Sequence, residues 1–439
     1  MSPAAIAALG FLVMLLFIAI RMPVGLAMLV AGSLGYIQLA GLPVYLNYLK
    51  STPYHLFANY TLSVIPLFIL MGALAERSGL STKLFRAASG VIGHRRGGMA
   101  MAVIGACTAF GAICGSSVAT TATFARAALP ELRRYNYAPS LATGTVAVGG
   151  TLGILIPPSV ILVVYAITTE QNIAKLFQAA FIPGILAAIF YCVVIALVVR
   201  RDPTAGPGHP PVESATRWKA IAAVWPAIVI ALVVVGGIYG GVFTPTEGAA
   251  VGAVAMLVTA LLQGTLGWQG LKEALLQTAE TSAMIFVILL GAEVFDAFLG
   301  LSQMPEAAAE FVSGIGLPPL GVVALLMLFY ILLGAVMDEL AMILLTLPVF
   351  FPIVIKLDFG IPADEVGVWF GILVLIVVGI GLTAPPIGLN VFVVSSIARD
   401  VPIMTTYRGV LPFVAADIIR LSIVILFPSL ALVLVRWLN

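Results

Sequence analysis

Apolar runs long enough to cross a hydrocarbon layer recur from one end of this sequence to the other, and no other feature limits its possible folds so sharply. A bilayer core of about 30 Å takes a helix of roughly 17–25 residues. Inside it a backbone N–H or C=O finds no water. Only helices, or irregular backbone buried in protein or lining a wet cavity, are therefore admissible. The runs are read at 4–20, 23–40, 62–76, 139–166 and 176–199, then at 220–243, 248–264, 283–300, 366–397 and 410–436. With 62% hydrophobic and 9% charged residues, the surface is built for lipid, since soluble domains carry about a quarter of their residues charged. Because equal runs follow it, Ala4–Ile20 is read as a span and not as a removable signal peptide.

The few charges report orientation. Arg77, Lys83, Arg86, Arg95 and Arg96 lie in one connection, Arg133 and Arg134 in another, and Arg200 and Arg201 open a polar linker at 201–218. By the positive-inside rule these connections are cytoplasmic, which puts the N-terminus in the periplasm. Residues 98–132 then leave and re-enter by the same face around Gly115, Ser116 and Ser117, and are expected to form a re-entrant hairpin. The span at 139–166 is interrupted by Gly149, Gly150, Gly153, Pro157 and Pro158. After the linker the order returns. A second hairpin is expected at 319–356 around Asp338 and Glu339, and a second broken helix at 366–397 around Gly379, Gly381, Ala384, Pro385, Pro386, Gly388 and Asn390.

Breakers align the halves. Pro23 and Pro130 match Pro245 and Pro352 at an offset of 222, which pairs Ser116 with Asp338, and the double prolines match at 228. Five crossings and a hairpin in each half, 1–200 and 219–439, oblige the second copy to be inverted. The predicted fold class is thus an all-α polytopic membrane protein, an inverted repeat with two re-entrant hairpins and two broken helices. Scaffold helices are expected at 4–76 and 220–264. Such repeats carry their binding sites near the bilayer midplane.

A broken helix exposes N–H groups at one half-helix start and C=O groups at the other half-helix end. Hard oxygen donors without thiol or imidazole suit an alkali cation, and sodium is the natural one. The candidate sodium ligands of the first half are Gly115, Ser116, Ser117, Gly150, Thr151 and Gly153; those of the second are Asp338, Thr383, Ala384, Gly388 and Asn390. A carboxylate solute is expected between the hairpins, near Ser116, Ser117, Thr120, Pro158, Asp338, Pro386 and Asn390, held by positive half-helix ends. Serine and threonine in membrane helices also bond back to the preceding turn, so the cluster carries more weight than any member. Glu339 is expected to face the outer cavity, Asp417 and Arg420 to pair locally, Glu247 to cap its helix and Arg126 to snorkel. Cys107, Cys114 and Cys192 show no metal or disulfide spacing, and the formal charge of +2 offers nothing to a nucleic acid.

Gly115-Ser-Ser-Val-Ala-Thr-Thr-Ala-Thr123, Thr244-Pro-Thr-Glu247 and Thr383-Ala-Pro-Pro-Ile-Gly-Leu-Asn390 resemble the large membrane subunit of tripartite ATP-independent periplasmic (TRAP) transporters, over nearly the whole chain. The resemblance implies an elevator-type fold and sodium-driven import of a small organic acid, such as a dicarboxylate or sialic acid. It also implies two partners, a periplasmic substrate-binding protein and a small four-helix membrane subunit, in the bacterial inner membrane. Since the first span starts at Ala4, a separate small subunit is expected. Arg21 and Glu339 are not features the family pattern requires.

Three other readings compete. A stand-alone sodium/dicarboxylate or citrate carrier would work without a binding protein. An intramembrane enzyme with Ser116 as nucleophile lacks a base, because His55, His94 and His209 all fall in connecting segments. A passive channel would conduct without coupling.

Overall fold

A computed structural model describes residues 2–211, 213–314 and 316–438, and every regular element among them is a helix. The first half runs through α1 (Pro3–Ala19), α2 (Val24–Ala40), α3 (Leu42–Phe57), a 3-10 turn (Tyr60–Ser63), α4 (Val64–Arg77) and α5 (Leu80–Ile92). It continues with α6 (Gly98–Cys114), α7 (Ser117–Arg134), α8 (Pro139–Leu155), α9 (Val160–Thr168) and α10 (Ile173–Arg201). The second half comprises α11 (Ser214–Ala222), α12 (Trp225–Tyr239), α13 (Pro245–Leu262), α14 (Trp268–Leu301), α15 (Met304–Gly314), α16 (Pro319–Gly334) and α17 (Glu339–Ile355). Then come α18 (Ala363–Gly381), α19 (Leu389–Ile397), α20 (Ile403–Leu426) and α21 (Ser429–Leu438).

Among the described residues, seven helical stretches are long and apolar enough to cross a membrane, and α8 with α9, bent by 45°, form an eighth candidate. Helices α1 and α2, with 17 residues each, stand at the short end of a spanning length. The other apolar pairs fold back on themselves. Phe110 and Phe124 meet edge to face at 5.6 Å across the α6–α7 turn, and Tyr330 and Phe350 at 5.3 Å across the α16–α17 turn. In the second turn the Thr346 hydroxyl also donates to Tyr330 Oη at 2.7 Å. Both expected hairpins are therefore present.

Helix starts follow from the chain's own caps. Thr244 and Glu247 form a reciprocal capping box on α13, as expected, with the Thr244 N–H donating to Glu247 Oε2 at 2.8 Å. Packing in the α2–α14 layer rests on small residues. A Cβ on Gly25 or Gly32 would lie 2.8 Å from the Cα of Ile288 or Phe295, the close backbone approach that stands in for a hydrophobic drive between membrane helices.

Several boundaries differ from the sequence reading. Residues 42–57 form a helix, so His55 sits in α3 and not in a connection. The span expected at 283–300 is part of one 34-residue helix, Trp268–Leu301. The segment between the span expected at 283–300 and the second hairpin contains α15, and the last span breaks at Phe427 and Pro428. Among the described residues of the linker, those between Arg201 and Ser214 are non-helical. It is also pinned: Gly97 N–H donates to Gly206 O at 2.8 Å and Ala138 N–H to Ala205 O at 2.9 Å. Those two donors flank the base of the α6–α7 hairpin, so the linker crosses beneath it.

Candidate functional site

Each hairpin turn is seated in the break of the broken helix from its own half. Gly115 ends α6 with φ 64°, and a Cβ there would lie 2.9 Å from Pro158 O and 3.5 Å from Val160 N. Only glycine accepts both the left-handed conformation and that approach without strain. In the second half Ile387 N–H donates to Ala335 O at 3.2 Å, and Gly381 packs on the Gly334 backbone. The Tyr407 hydroxyl spans Pro386 O at 2.8 Å and Ile387 O at 2.5 Å, holding that break from α20. Both Pro157-Pro158 and Pro385-Pro386 bonds are cis.

The matched turn residues Ser116 and Asp338 play the same local part. Ser116 caps α7, its hydroxyl accepting from Ala119 N–H at 3.4 Å. Asp338 caps α17, its Oδ2 accepting from Leu340 and Ala341 N–H at 3.2 and 3.3 Å. Both open onto one cavity of about 410 Å³. Its walls come from the two turns, from Val160 and Ile161 after the first break, and from α4 and α14. Glu76, Gln277 and Thr281 line it from those two helices, and Glu339 lines it beside Asp338. Glu339 thus faces the cavity shared by both turns and not a separate outer one, and its buried Oε2 has no hydrogen-bond partner in the protein.

Of the residues expected to hold the solute, Ser116 and Asp338 line this cavity, while Ser117, Thr120, Pro158, Pro386 and Asn390 do not. Thr120 bonds back to Ser116 O at 2.7 Å, and Pro158 supports Gly115 from behind. Asn390 corrects the expected division of the sites. Although it follows the second break, its Nδ2 donates to Ser117 Oγ at 2.8 Å and to Ala147 O at 3.1 Å, both in the first half. Its Oδ1, with Thr121 Oγ1 on α7 and Thr145 Oγ1 on α8, is buried and has no hydrogen-bond partner in the protein. These orphaned oxygens sit on the three helices that Asn390 ties together. All three are hard, neutral oxygens, the donor type that alkali cations prefer.

Gly150 and Gly153 let α7 lie against α8. A Cβ on Gly150 would fall on Thr121 Oγ1, and one on Gly153 would lie 2.5 Å from Ser116 O. Thr151 belongs to a different network. Its hydroxyl is shared between Val148 O at 2.7 Å and Tyr191 Oη at 3.1 Å, and Tyr191 in turn donates to Asp417 Oδ2 at 2.7 Å. Asp417 pairs with Arg420 at 2.8 Å, as expected of their spacing, and Arg420 donates to Pro183 O at 3.1 Å. Thr383 bonds back to Ile380 O at 3.1 Å, Ala384 N–H donates to Ile380 O at 2.8 Å, and Gly388 opens α19 with φ 59°. Arg126 is largely exposed and lies 3.7 Å from Glu76.

Glu76, Gln277 and Thr281 were missed as cavity residues. Glu76 precedes Arg77 at a helix end and reads as an orientation charge. Gln277 and Thr281 are four apart on α14, one face of a helix, and that spacing was the available signal.

The architecture is shared with a solved transporter. The crystal structure of Alcanivorax borkumensis YdaH matches with a TM-score of 0.63 at 15% identity, covering 95% of this chain and 97% of that one. Curated relatives are much closer in sequence. The C4-dicarboxylate TRAP transporter large permease protein DctM of Pseudomonas aeruginosa is 37% identical over 384 residues, 87% of each chain. The sialic acid TRAP transporter large permease protein SiaM of Vibrio cholerae is 31% identical over 86% of each. An isethionate permease of Oleidesulfovibrio alaskensis, DctMQ, is 28% identical, and the match covers 94% of this chain and 64% of that longer protein. The family model for the DctM component of the tripartite ATP-independent periplasmic transporters matches residues 11–430, and the chain belongs to that family.

Proposed function

We propose that this chain is the membrane permease of a three-part uptake system, importing a small organic acid by symport with sodium. The carrying observation is the carboxyl lining of the shared cavity. Glu76, Asp338 and Glu339 line it, Glu76 with Arg126 3.7 Å away, and no lysine or arginine lines it among the described residues. A carboxylate entering such a space needs positive potential from elsewhere. The half-helix starts at Ser117 and Glu339 supply part of it. Bound cations supply the rest, which makes co-transport a condition of anion binding. The orphaned oxygens of Asn390, Thr121 and Thr145, on the three helices that Asn390 ties together, are the donors this reading assigns to such a cation.

An elevator movement fits the packing. The Asn390 bonds, the Thr406–Thr143 hydroxyl contact at 3.0 Å and the Arg133–Asp400 ion pair at 2.7 Å bind elements of the two halves into one body. The cavity lies between that body and the α4–α14 wall. Relatives named for C4-dicarboxylates and sialic acid support a carboxylate solute, and the family supports a periplasmic binding protein and a small membrane subunit as partners.

The test is uptake into proteoliposomes holding the chain with both partners. Accumulation driven by an inward sodium gradient, and lost with potassium in its place, is expected. Equal uptake in potassium overturns sodium coupling, and uptake by the chain alone favours a stand-alone symporter.

A further inference from the structure

We propose that a second cavity, beneath the first hairpin, holds the anionic phosphate headgroup of a membrane lipid. It measures about 460 Å³ and lies where α5, the end of α7 and α11 meet the linker. Arg86, Arg134 and Arg217 reach it from three different helices, with Ser89 and Thr216 beside them. Arg134 is 3.7 Å from Glu131, which also lines the cavity. Arg86 and Arg217 have no carboxylate within ion-pair distance among the described residues, so the cavity keeps an excess of two guanidinium charges.

Its shape is fixed by the linker. His209 N–H donates to Gly93 O at 3.2 Å, and the imidazole packs on Tyr135 with ring centres 5.1 Å apart. Gly90 leaves room for the Arg217 stem, whose Cγ is 3.7 Å from where a Cβ would stand. Guanidinium forks match phosphate oxygens in a way a single ammonium does not.

A lipid is favoured over a soluble anion by the exposed apolar residues that neighbour the lining ones in sequence. Trp218 follows Arg217 and is 63% exposed, and Val91 on α5 is 44% exposed. Exposed tryptophan beside basic residues is the signature of the headgroup level. The arginine-rich connections put this end on the cytoplasmic leaflet, where anionic lipids raise a negative surface potential.

The test is native mass spectrometry of the full chain, released from micelles doped with phosphatidylglycerol, with phosphatidylcholine, or with phosphatidylglycerol plus millimolar inorganic phosphate. Selective retention of phosphatidylglycerol is expected, falling roughly fivefold per arginine in Arg86→Gln and Arg217→Gln and unchanged in Arg95→Gln. Glu131→Gln, which frees Arg134, should raise retention, so the proposal does not hang on loss alone. Equal retention of both lipids, or retention unaltered in Arg86→Gln and Arg217→Gln, overturns it. Displacement by inorganic phosphate overturns the lipid assignment in favour of a soluble anion. None of these outcomes depends on sodium coupling or on the identity of the transported solute.

Discussion

Replacing Asn390 tests whether the two halves act as one body at the first hairpin. The side chain is fully buried and donates to Ser117 Oγ and Ala147 O. A buried hydrogen bond contributes about 0.5–1.5 kcal/mol net, and interhelical ones in membranes average about 0.6. Asn390→Ala should therefore cost about 1–3 kcal/mol. Asn390→Asp keeps the shape but replaces both N–H donors with a carboxylate facing a carbonyl. In potassium it should cost about 3–5 kcal/mol, as an uncompensated buried charge does. Sodium should return part of that loss, because a cation beside the Oδ1 position is the partner the carboxylate lacks. Unfolding of the purified chain by denaturing detergent, followed in potassium and in sodium, gives the costs. A cycle with Ser117→Ala isolates the shared bond, with an expected coupling of about 0.6–1.7 kcal/mol. Additive single costs, together with an Asn390→Asp variant as stable as the parent in both salts, would refute the reasoning.

Three other substitutions probe the supports of the site. Gly115→Ala puts a methyl 2.9 Å from Pro158 O at φ 64°; a left-handed penalty of about 1–2 kcal/mol should lower the melting temperature, and an unchanged value would show that the turn is not seated in the break. Tyr407→Phe removes the hydroxyl that donates to Pro386 O and Ile387 O, so amide exchange should quicken at 383–390 and stay unaltered at 156–160. Arg420→Met leaves Asp417 buried without its cation at a cost of about 3–5 kcal/mol, much of which Arg420→Met with Asp417→Leu should restore; equal stability of single and double variants would contradict the pairing.

The breaks were legible because glycine and proline act on the backbone locally. Gly115, Pro157-Pro158 and Pro385-Pro386 mark interruptions whatever surrounds them, and the offset between matched breakers put Ser116 opposite Asp338, which cap matching helices. Helix α3 was not legible, since Asn47, Lys50, Ser51 and Pro53 interrupt its apolar pattern. The bend before Pro428 was hidden inside a continuous apolar run. Partner choice across the fold was hidden too. Sequence order assigns Asn390 to the second break, and only tertiary packing turns its amide toward Ser117. Thr151 likewise reads as a free hydroxyl until Tyr191 and Asp417 are brought beside it.

The linker between the halves, with Ala205 5% and His209 8% exposed, is tied at Gly97 and Ala138, on either side of one hairpin. This decides where the polypeptide can be severed or extended. Division just before Ser214 leaves the tie on the fragment whose hairpin it closes, so the two pieces are expected to reassemble. Division at Asp202, or a reporter domain inserted near Gly206, instead opens the base of that hairpin and strips the wall from the arginine-lined cavity beside it.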